Sequence, residues 1–577
     1  MRQHILATAL AAAVTALAYG QNLNPTVEVT NAYEGGASSI NKPVQKMAVP
    51  DSVTRFNLDF DYAVFEKPYQ GAYEFTPYYV QLLPAPKAST TQKFYLRMGA
   101  GFTLHPEFDL VWSPVLKERF QVNVYGTHHS YFGRYHQFTL SDPVDGLTSL
   151  VPAEEKMNGY LADTKAGVDA AYGWDGGIAT LDVDYRHRMA DNAYHYQKMG
   201  GVEVTGRVRS IDSDEPHFLY DAAVSYHLLD GDLSHTYGLG TITRDVAESA
   251  FKLDGTFGPV LEANRRVLID LDLDLARCMG DKTGYSGLLS IIPRYQFNAD
   301  RWYFSLGAKV SAIIYSEDFN LWGEDYRHKS GTVFPDVHVD FHLLDDQLIL
   351  QAAATGGDRF NSFSGRFFSR PFTYDGEFGH SMERVRAMVG VRGNVMSRFR
   401  YDLQGGYARM VHAVVDGVRT VPNSVVSGVL PILPAQYEKT FHLLYADLDY
   451  GWKSESVTVD GRFSYRYANI SGDGAFAPAA FTGYIRPAYN WGDRFKGGLD
   501  MAWSTSRRAT VLGDSDAVKA TYAMPGWIDL GLFAECRFTR NLGFWAKGGN
   551  LLNQAVQRTP LVAEAGMYFT AGIVLNF

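Results

Sequence analysis

The sequence predicts a transmembrane antiparallel β-barrel, an all-β fold of about 22 strands. Three observations carry this prediction: an export signal at the start of the chain, repeated segments in which apolar and polar residues alternate, and connectors that alternate between long and short. Together they indicate a chain that leaves the cytoplasm and crosses a membrane with strands.

The first 20 residues resemble a secretory signal peptide. Arg2 supplies a positive charge, and an apolar run occupies residues 5–17, followed by small residues. This run is shorter than the ~20 residues that a membrane-spanning helix needs. The residue after the expected cleavage site is Gln21, which has no thiol to accept a lipid anchor. We therefore expect residues 1–20 to be removed and the remainder to be exported.

The composition excludes several classes of protein. The net charge of −10 argues against a nucleic-acid partner. A mean hydropathy of −0.18 and the lack of a long apolar run after residue 20 argue against helical membrane spans. The two cysteines, Cys278 and Cys536, are too few for a disulfide framework. The chain is instead rich in aromatic residues and glycine, with 36 Tyr, 35 Phe and 55 Gly.

A period of two residues runs through the chain. In "FYLRMGAGF" at 94–102, "VLIDLDLDL" at 267–275 and "IDLGLFAECRF" at 528–538, every second residue is apolar. Side chains of a strand alternate between its two sides, so each segment has one apolar face and one face that is more polar or glycine-rich. In a membrane barrel the first face meets lipid and the second faces the lumen.

Twenty-two segments follow this pattern, and the weakest, 106–114 and 236–257, leave 18 or 20 strands as alternatives. The segments are 94–103, 106–114, 118–130, 159–174, 177–189, 200–210, 217–229, 236–257, 265–277, 286–297, 301–315, 333–344, 347–356, 383–393, 399–411, 438–452, 455–468, 481–491, 494–505, 527–538, 542–551 and 566–577.

Connectors between the segments alternate in length. Such a rhythm is expected of short periplasmic turns and long extracellular loops, and it brings Phe577 to the periplasmic side. Predicted long loops are 131–158, 357–382, 412–437, 506–526 and 552–565, whereas 175–176, 394–398, 453–454 and 539–541 are predicted short turns.

The end of the chain resembles the last hairpin of TonB-dependent receptors. "NLGFWAKGGNLLNQ" at 541–554 contains an Asn-Leu-x-Asn-like element, and "AGMYFTAGIVLNF" at 565–577 ends on an aromatic residue. The resemblance implies a 22-stranded barrel over residues 94–577 in the outer membrane of a Gram-negative bacterium. It also implies that the last strand is read by the barrel-assembly machinery. The residues of this insertion signal are Phe569, Ile573, Leu575 and Phe577.

Residues 21–93 depart from that family. They are much shorter than the receptors' plug domain, and Pro-punctuated stretches such as "KPVQKMAVP" predict an extended segment that is periplasmic or inserted in the lumen. The layout resembles plugless TonB-receptor-like barrels of the Bacteroidota type. The lack of a plug argues against TonB-driven uptake.

Three groups of residues are candidates for a site. Asp270, Asp272 and Asp274 form an acidic ladder on a predicted lumenal face, which is either a path for cations or a solvated wall paired with arginines. His128 and His129 are adjacent and therefore face opposite sides of a strand, so we expect no metal site there. The loop at 359–378 either binds a ligand or partner protein or packs on itself. Its aromatic residues include Phe360, Phe363, Phe367, Phe368, Phe372 and Tyr374.

No catalytic constellation or phosphate-binding loop is present in the sequence, so we expect neither an enzyme nor a cofactor. Two functions stay open. The barrel is a transporter or receptor for a substrate at the cell surface, or it is a non-transporting scaffold subunit of a larger envelope complex, for example one that assembles or exports outer-membrane proteins. Its expected partners are the lipid bilayer, the assembly machinery and, in the second case, other envelope proteins.

Overall fold

The protein folds into antiparallel strands connected in chain order, as a computed structural model shows. Residues 93–577 are described, except 103, 118, 142–148, 192–194, 212–217, 238–239, 263, 281–282, 316–331, 345, 370–378, 421–431, 470–477, 493 and 513–517. The predicted signal peptide and segment 21–93 lie outside the described residues, apart from Lys93.

Twenty-four strands and one short helix, α1 (Phe363–Ser369), make up the described structure. The strands are β1 (Phe94–Phe102), β2 (Glu107–Leu116), β3 (Phe120–Leu140), β4 (Leu150–Trp174), β5 (Gly177–Asp191), β6 (His195–Ser210), β7 (Phe218–Tyr237), β8 (Gly240–Glu262), β9 (Arg265–Gly280), β10 (Gly284–Ala299), β11 (Trp302–Tyr315), β12 (Thr332–Leu344), β13 (Leu348–Asn361), β14 (Gly379–Val395), β15 (Phe399–Thr420), β16 (Ile432–Lys453), β17 (Val457–Asn469), β18 (Phe481–Trp491), β19 (Phe495–Ser504), β20 (Arg507–Leu512), β21 (Val518–Met524), β22 (Trp527–Arg537), β23 (Leu542–Gly549) and β24 (Tyr568–Asn576).

The sheet closes on itself. Each strand from β1 to β19 pairs with its neighbour in the chain, β19 continues to β22, and β24 pairs with β1 from Tyr95↔Asn576 to Phe102↔Phe569. The hairpin of β20 and β21 stands outside this ring. The barrel therefore has 22 strands, which confirms the predicted number and includes both of the weakest predicted segments.

The two faces of the wall differ as the alternation predicts. Along β24, Phe569 and Ala571 are exposed on the outside, whereas Thr570 between them is buried on the inside. Large apolar residues are exposed on the outer face all around the ring, among them Val168, Leu181, Leu228, Ile269, Leu306, Leu403, Leu499 and Leu532. A closed barrel with an apolar outer belt satisfies every backbone hydrogen bond within lipid, so the fold belongs in an outer membrane.

Three of the predicted long loops are wrong, and one of them, 506–526, is mostly the β20–β21 hairpin. The stretch 131–158 is mostly strand, because β3 and β4 stay paired up to Leu140↔Leu150, and 412–437 is largely paired between β15 and β16 up to Thr420↔Ile432. These ribbons extend past the ends of the shorter barrel strands. Lipid imposes no apolar alternation on a ribbon that extends beyond it, and buried ribbon residues such as Leu150 and Val418 pack on distant parts of the chain, so periodicity did not detect these strands.

The Asn-Leu-x-Asn-like element shapes the last connector. Asn550 and Asn553 adopt positive φ angles of 44° and 49°, a conformation that asparagine tolerates better than most residues. The buried Asn550 amide donates to the carbonyls of Gln554 at 2.8 Å and Ala565 at 2.9 Å. The element thus fixes both ends of the connector 550–567 against each other.

Candidate functional site

The connector between β13 and β14 folds against the inner face of the barrel. Its helix α1 begins after Ser362, whose Oγ accepts a hydrogen bond from the backbone N–H of Gly365 at 3.1 Å. Serine is a preferred N-terminal cap because it satisfies an N–H group that has no partner within the helix. The cap explains why so short a sequence turns helical at this point.

A fully buried carboxylate on the barrel wall holds the start of α1. Glu248 on β8 accepts hydrogen bonds from the backbone N–H groups of Phe363 at 2.8 Å and Ser364 at 3.3 Å. Its other oxygen lies 2.9 Å from Nε2 of His227 on β7. Wall and helix are therefore joined by a charge-assisted contact that satisfies the remaining free N–H groups of the first turn.

A buried arginine holds the other end of the helix. The guanidinium of Arg188 on β5 donates to the carbonyl oxygen of Phe368 at 2.5 Å, and it pairs with the carboxylate of Asp163 on β4. The guanidinium of Arg186 lies 4.3 Å from the centre of the Phe368 ring. One strand thus binds the last turn through both hydrogen bonding and a cation–π contact.

Between these two contacts the aromatic side chains of α1 fill an apolar cluster. The cluster is built by inward residues of three strands, β6, β7 and β9. Its buried members are Met199, Leu233, Ala276, Cys278, Phe363, Phe367 and Phe368. We call the segment Ser362–Ser369, with these contacts, the strap. It starts from β13 and packs on strands β5 to β9, so it reaches across part of the lumen.

The hairpin of β20 and β21 reaches across from the other side. Val418 and Arg419 of β15 pair in parallel with β20, and Ser149 before β4 forms a parallel bridge with Ala523 of β21. Because β4 and β15 are the fourth and fifteenth strands of a ring of 22, they stand on opposite sides of the barrel. The hairpin therefore bridges the mouth of the lumen.

A second apolar cluster fastens this hairpin. Leu150 of β4, Val418 of β15, Ala509 of β20 and Met524 of β21 are all buried against one another. Arg507 of β20 also donates to the carbonyl of Gln557 at 3.0 Å in the connector 550–567. The hairpin and the connector 550–567 thereby pack together at the same end of the barrel as the strap.

The three residues of the predicted acidic ladder share the inward phase of β9, and their surroundings differ, while its role as a path or a paired wall stays a prediction. Asp270 accepts a hydrogen bond from Thr256 at 2.8 Å and pairs with Arg294, so it belongs to a paired wall. Asp272 lies directly opposite Asp254 of β8, and its Oδ1 has no hydrogen-bond partner within the described structure. Asp274 lies opposite Lys252.

Only some of the aromatic residues of the predicted loop 359–378 lie in the described structure. Phe363, Phe367 and Phe368 are buried in the strap cluster, and Phe360 packs against it. Phe372 and Tyr374 lie outside the described residues. In this conformation the three buried rings contact the barrel's own wall, and binding of a partner or ligand by the loop stays a prediction.

The histidines follow strand geometry. Nε2 of His129 lies 3.0 Å from Asp109, whereas Nδ1 of His128 lies 2.8 Å from the hydroxyl of Thr164. Within the described ranges, no three His, Cys, Asp or Glu side chains are arranged to hold a metal ion, and no described helix has the length and hydropathy to span a membrane.

The predicted insertion signal lies at the seam that closes the ring. The N–H group of Phe577 donates to the carbonyl of Phe94 at 2.9 Å, and the two rings are 6.2 Å apart. Phe569, Ile573 and Leu575 lie on the outward face of β24. Recognition of these residues by the assembly machinery stays a prediction.

Sequence reasoning did not identify Glu248, Arg188 or Met524. Charged residues in the inward phase of a barrel strand are common, and nothing nearby in sequence shows that Glu248 and Arg188 become fully buried. Their partners lie far away along the chain, 115 residues from Glu248 to Phe363 and 180 from Arg188 to Phe368.

Comparisons with known proteins identify the architecture. No family model matches the chain, and no curated protein matches it in sequence. Solved structures do match. The fold is that of a closed, 22-stranded outer-membrane β-barrel. The copper transporter OprC aligns with a TM-score of 0.61 at 12% identity, over 84% of this chain and 80% of that one.

Two further structures resemble the chain to a similar extent. The FrpB iron transporter from Neisseria meningitidis, F3-3 variant, has a TM-score of 0.61 at 8% identity, with 85% of this chain and 82% of that chain covered. The ferripyoverdine receptor of Pseudomonas aeruginosa has a TM-score of 0.60 at 9% identity, covering 84% and 72%. At such identities the likeness establishes the fold, and the outer-membrane location that the sequence predicted agrees with it.

Proposed function

We propose that the protein is an outer-membrane transporter or receptor whose lumen is occluded from the cell surface by the strap and the β20–β21 hairpin. The observation that carries this proposal is the fastening of α1 to the inner wall by buried Glu248 and Arg188. A pore lined with charged groups has a reason to be closed by a loop, since an open 22-stranded barrel is wide enough to need plugging.

The buried contacts of Glu248 and Arg188 with α1 would allow the strap to open and close. Both contacts involve charges that water would solvate well, so opening the strap exchanges buried ion contacts for hydration. The apolar cluster of three phenylalanine rings opposes that release. A ligand that competes for these contacts would shift the balance toward the open state. The outer-membrane metal and siderophore receptors that share the fold make uptake of a small solute the leading role.

Planar-bilayer conductance tests the proposal. We expect the purified chain to conduct little, and the double variant Glu248→Ala with Arg188→Ala to open a conducting pore. A matched control is Arg207→Ala, which removes an inner-wall arginine that pairs with Asp221 away from the strap. Conductance of the control should equal that of the wild type.

The scaffold function is the alternative outcome. The decisive variant also replaces the hairpin 507–524, together with residues 362–378, by short linkers, and if neither it nor the double variant conducts, the pore proposal fails. Stoichiometric co-purification of other envelope proteins in mild detergent would then favour a non-transporting subunit. Recovery of the barrel alone, with an open pore in the double variant, would exclude that role.

A further inference from the structure

A row of oxygen atoms crosses four neighbouring strands on the inner wall. Asp254 of β8 lies opposite Asp272 of β9, Asp272 lies opposite Ser290 of β10, and Ser290 lies opposite Ser311 of β11. Opposed side chains on antiparallel strands have their Cβ atoms about 4.5–5.5 Å apart. We call these four residues the oxygen row; Asp274 lies beside it, one rung along β9.

The row contains buried polar groups that lack partners. Ser290 is 0% exposed and Ser311 is 1% exposed, and neither hydroxyl has a hydrogen-bond partner in the described part of the chain. Oδ1 of Asp272 is also a buried atom without a hydrogen-bond partner in that part of the chain. Buried polar groups in folded proteins are nearly always hydrogen-bonded, so three unpartnered oxygens on adjacent strands require an explanation.

The charge around the row is unbalanced. Two lysines, Lys252 at 3.4 Å from Asp254 and Lys309 of β11, are the cations near the three carboxylates Asp254, Asp272 and Asp274. Arg294, which is further along the wall, pairs with Asp270 and lies 3.5 Å from Asp336. The row therefore carries excess negative charge, unlike the paired wall at Asp270.

Part of the row is open to the lumen. The side chains of Lys252 and Asp254 are 48% and 46% exposed, whereas the two serines lie buried at the other end. A solute arriving in the lumen would meet a carboxylate first and hydroxyl groups further in. This arrangement offers acceptors for several N–H donors along an extended cation.

We propose that the oxygen row binds an organic cation, a solute with protonated amine groups. The inference rests on the proposed function, since a lumenal site serves a barrel that admits solutes. An ammonium group donates to Asp272 and Asp254 and a second donor reaches Ser290 and Ser311. Neutral solutes lack the charge that the row leaves uncompensated, and anions are repelled.

Calorimetric titration of the full purified chain with spermidine tests the site. We expect saturable binding that weakens as salt is raised, because exposed charges are screened. The variant Asp254→Asn with Asp272→Asn should bind at least tenfold more weakly. The control Asp500→Asn, which changes a carboxylate of β19 paired with Arg486 of β18 and remote from the row, should stay within twofold of the wild type.

A second variant separates binding from stability. Ser290→Ala with Ser311→Ala should lower spermidine affinity severalfold and leave the thermal midpoint unchanged or raised, since it removes unpartnered buried hydroxyls. A lowered midpoint would mean that these hydroxyls have structural partners and would overturn their assignment. Titrations are repeated with the Glu248→Ala, Arg188→Ala barrel, so that closure of the strap does not hide the site.

Three results overturn the proposal: no saturable binding in either background, equal binding by the two-aspartate variant and the wild type, or tighter binding of a triglutamate probe than of spermidine. Failure of this site is distinguishable from failure of the pore. Spermidine binding by a barrel that never conducts supports the site alone, whereas conduction without spermidine binding supports the pore alone.

Discussion

The carboxylate of Glu248 on β8 caps a helix that starts at Phe363, with 2.8 Å between its Oε2 and the Phe363 nitrogen. Both partners are buried against the inner wall of the barrel. A contact between an acid in one strand and a backbone group in a surface connector ties the mouth of the lumen to its wall. The first prediction follows from it.

Replacing Glu248 with alanine should release the strap. The N–H groups of Phe363 and Ser364 then lose their acceptor, at a cost of about 1–3 kcal/mol for buried donors left unsatisfied. Cys278, which is buried beneath α1, reports the change. In a Cys536→Ser background we expect maleimide labelling of Cys278 to be much faster in Glu248→Ala than in Glu248→Gln, which keeps an acceptor. Equal labelling rates would show that Glu248 does not hold the strap.

A second buried acid, Glu107, lies near the seam. We expect the effects of changing Glu107 and its partner Lys547 on the stability of the barrel to be non-additive. Glu107 of β2 is fully buried and pairs with Lys547 of β23, while His105 lies 2.9 Å from its Oε1. Lys547→Met should destabilise the barrel, by up to about 3–5 kcal/mol, because it removes the nearest cation from buried Glu107 and leaves Arg97 at 3.9 Å. The double variant Glu107→Gln, Lys547→Met should cost less than the single one.

Heat-induced unfolding, followed as the shift in mobility of the folded barrel in gel electrophoresis, measures this coupling. A control pair is Arg486 and Asp500 on β18 and β19, which are both partly exposed at 3.0 Å. Arg486→Met should cost no more than about 1 kcal/mol. Strict additivity of the Glu107 and Lys547 changes would contradict the coupling.

Met524 should anchor the β20–β21 hairpin without supporting the barrel. It is buried among residues of β4, β15 and β20, so Met524→Ala removes about 2–5 kcal/mol from docking of the hairpin. We expect faster limited proteolysis within the hairpin and an unchanged unfolding temperature of the barrel. Leu499→Ala, on the lipid-facing side of β19, is the control for loss of apolar volume. A hairpin as resistant as the wild type would contradict its role as a fastened cap.

Phe577→Ala should reduce the amount of folded barrel in the membrane. The side chain lies beside Phe94 at the seam, and the resemblance to receptor barrels makes it part of the insertion signal. We expect a severalfold loss of the heat-modifiable folded form after expression. Phe544→Ala, an exposed aromatic change on neighbouring β23, controls for surface hydrophobicity. If both variants assemble alike, the signal does not depend on Phe577.

Local pattern sufficed for the wall of this protein. The alternation in "FYLRMGAGF" correctly assigns β1, with Met98 and Phe102 exposed outward, and the same reasoning finds all 22 barrel strands. The same reasoning missed the parts of β3, β4, β15 and β16 that lie within 131–158 and 412–437. Apolar alternation is imposed by lipid on one face, and where the strands leave the lipid that constraint ends.

The sequence by itself determined the fold class, the strands that cross the membrane and the direction of their faces. Each of these depends on the residues of one strand and on whether lipid or water meets each of its faces. The alternation of apolar and polar residues reflects that difference between the faces. Only the tertiary structure decided which inward residues matter. It brought Glu248 to Phe363 and aligned Asp254, Asp272, Ser290 and Ser311 in one row. Register between strands and the path of a connector are set by contacts between distant segments, and a single strand carries no trace of them.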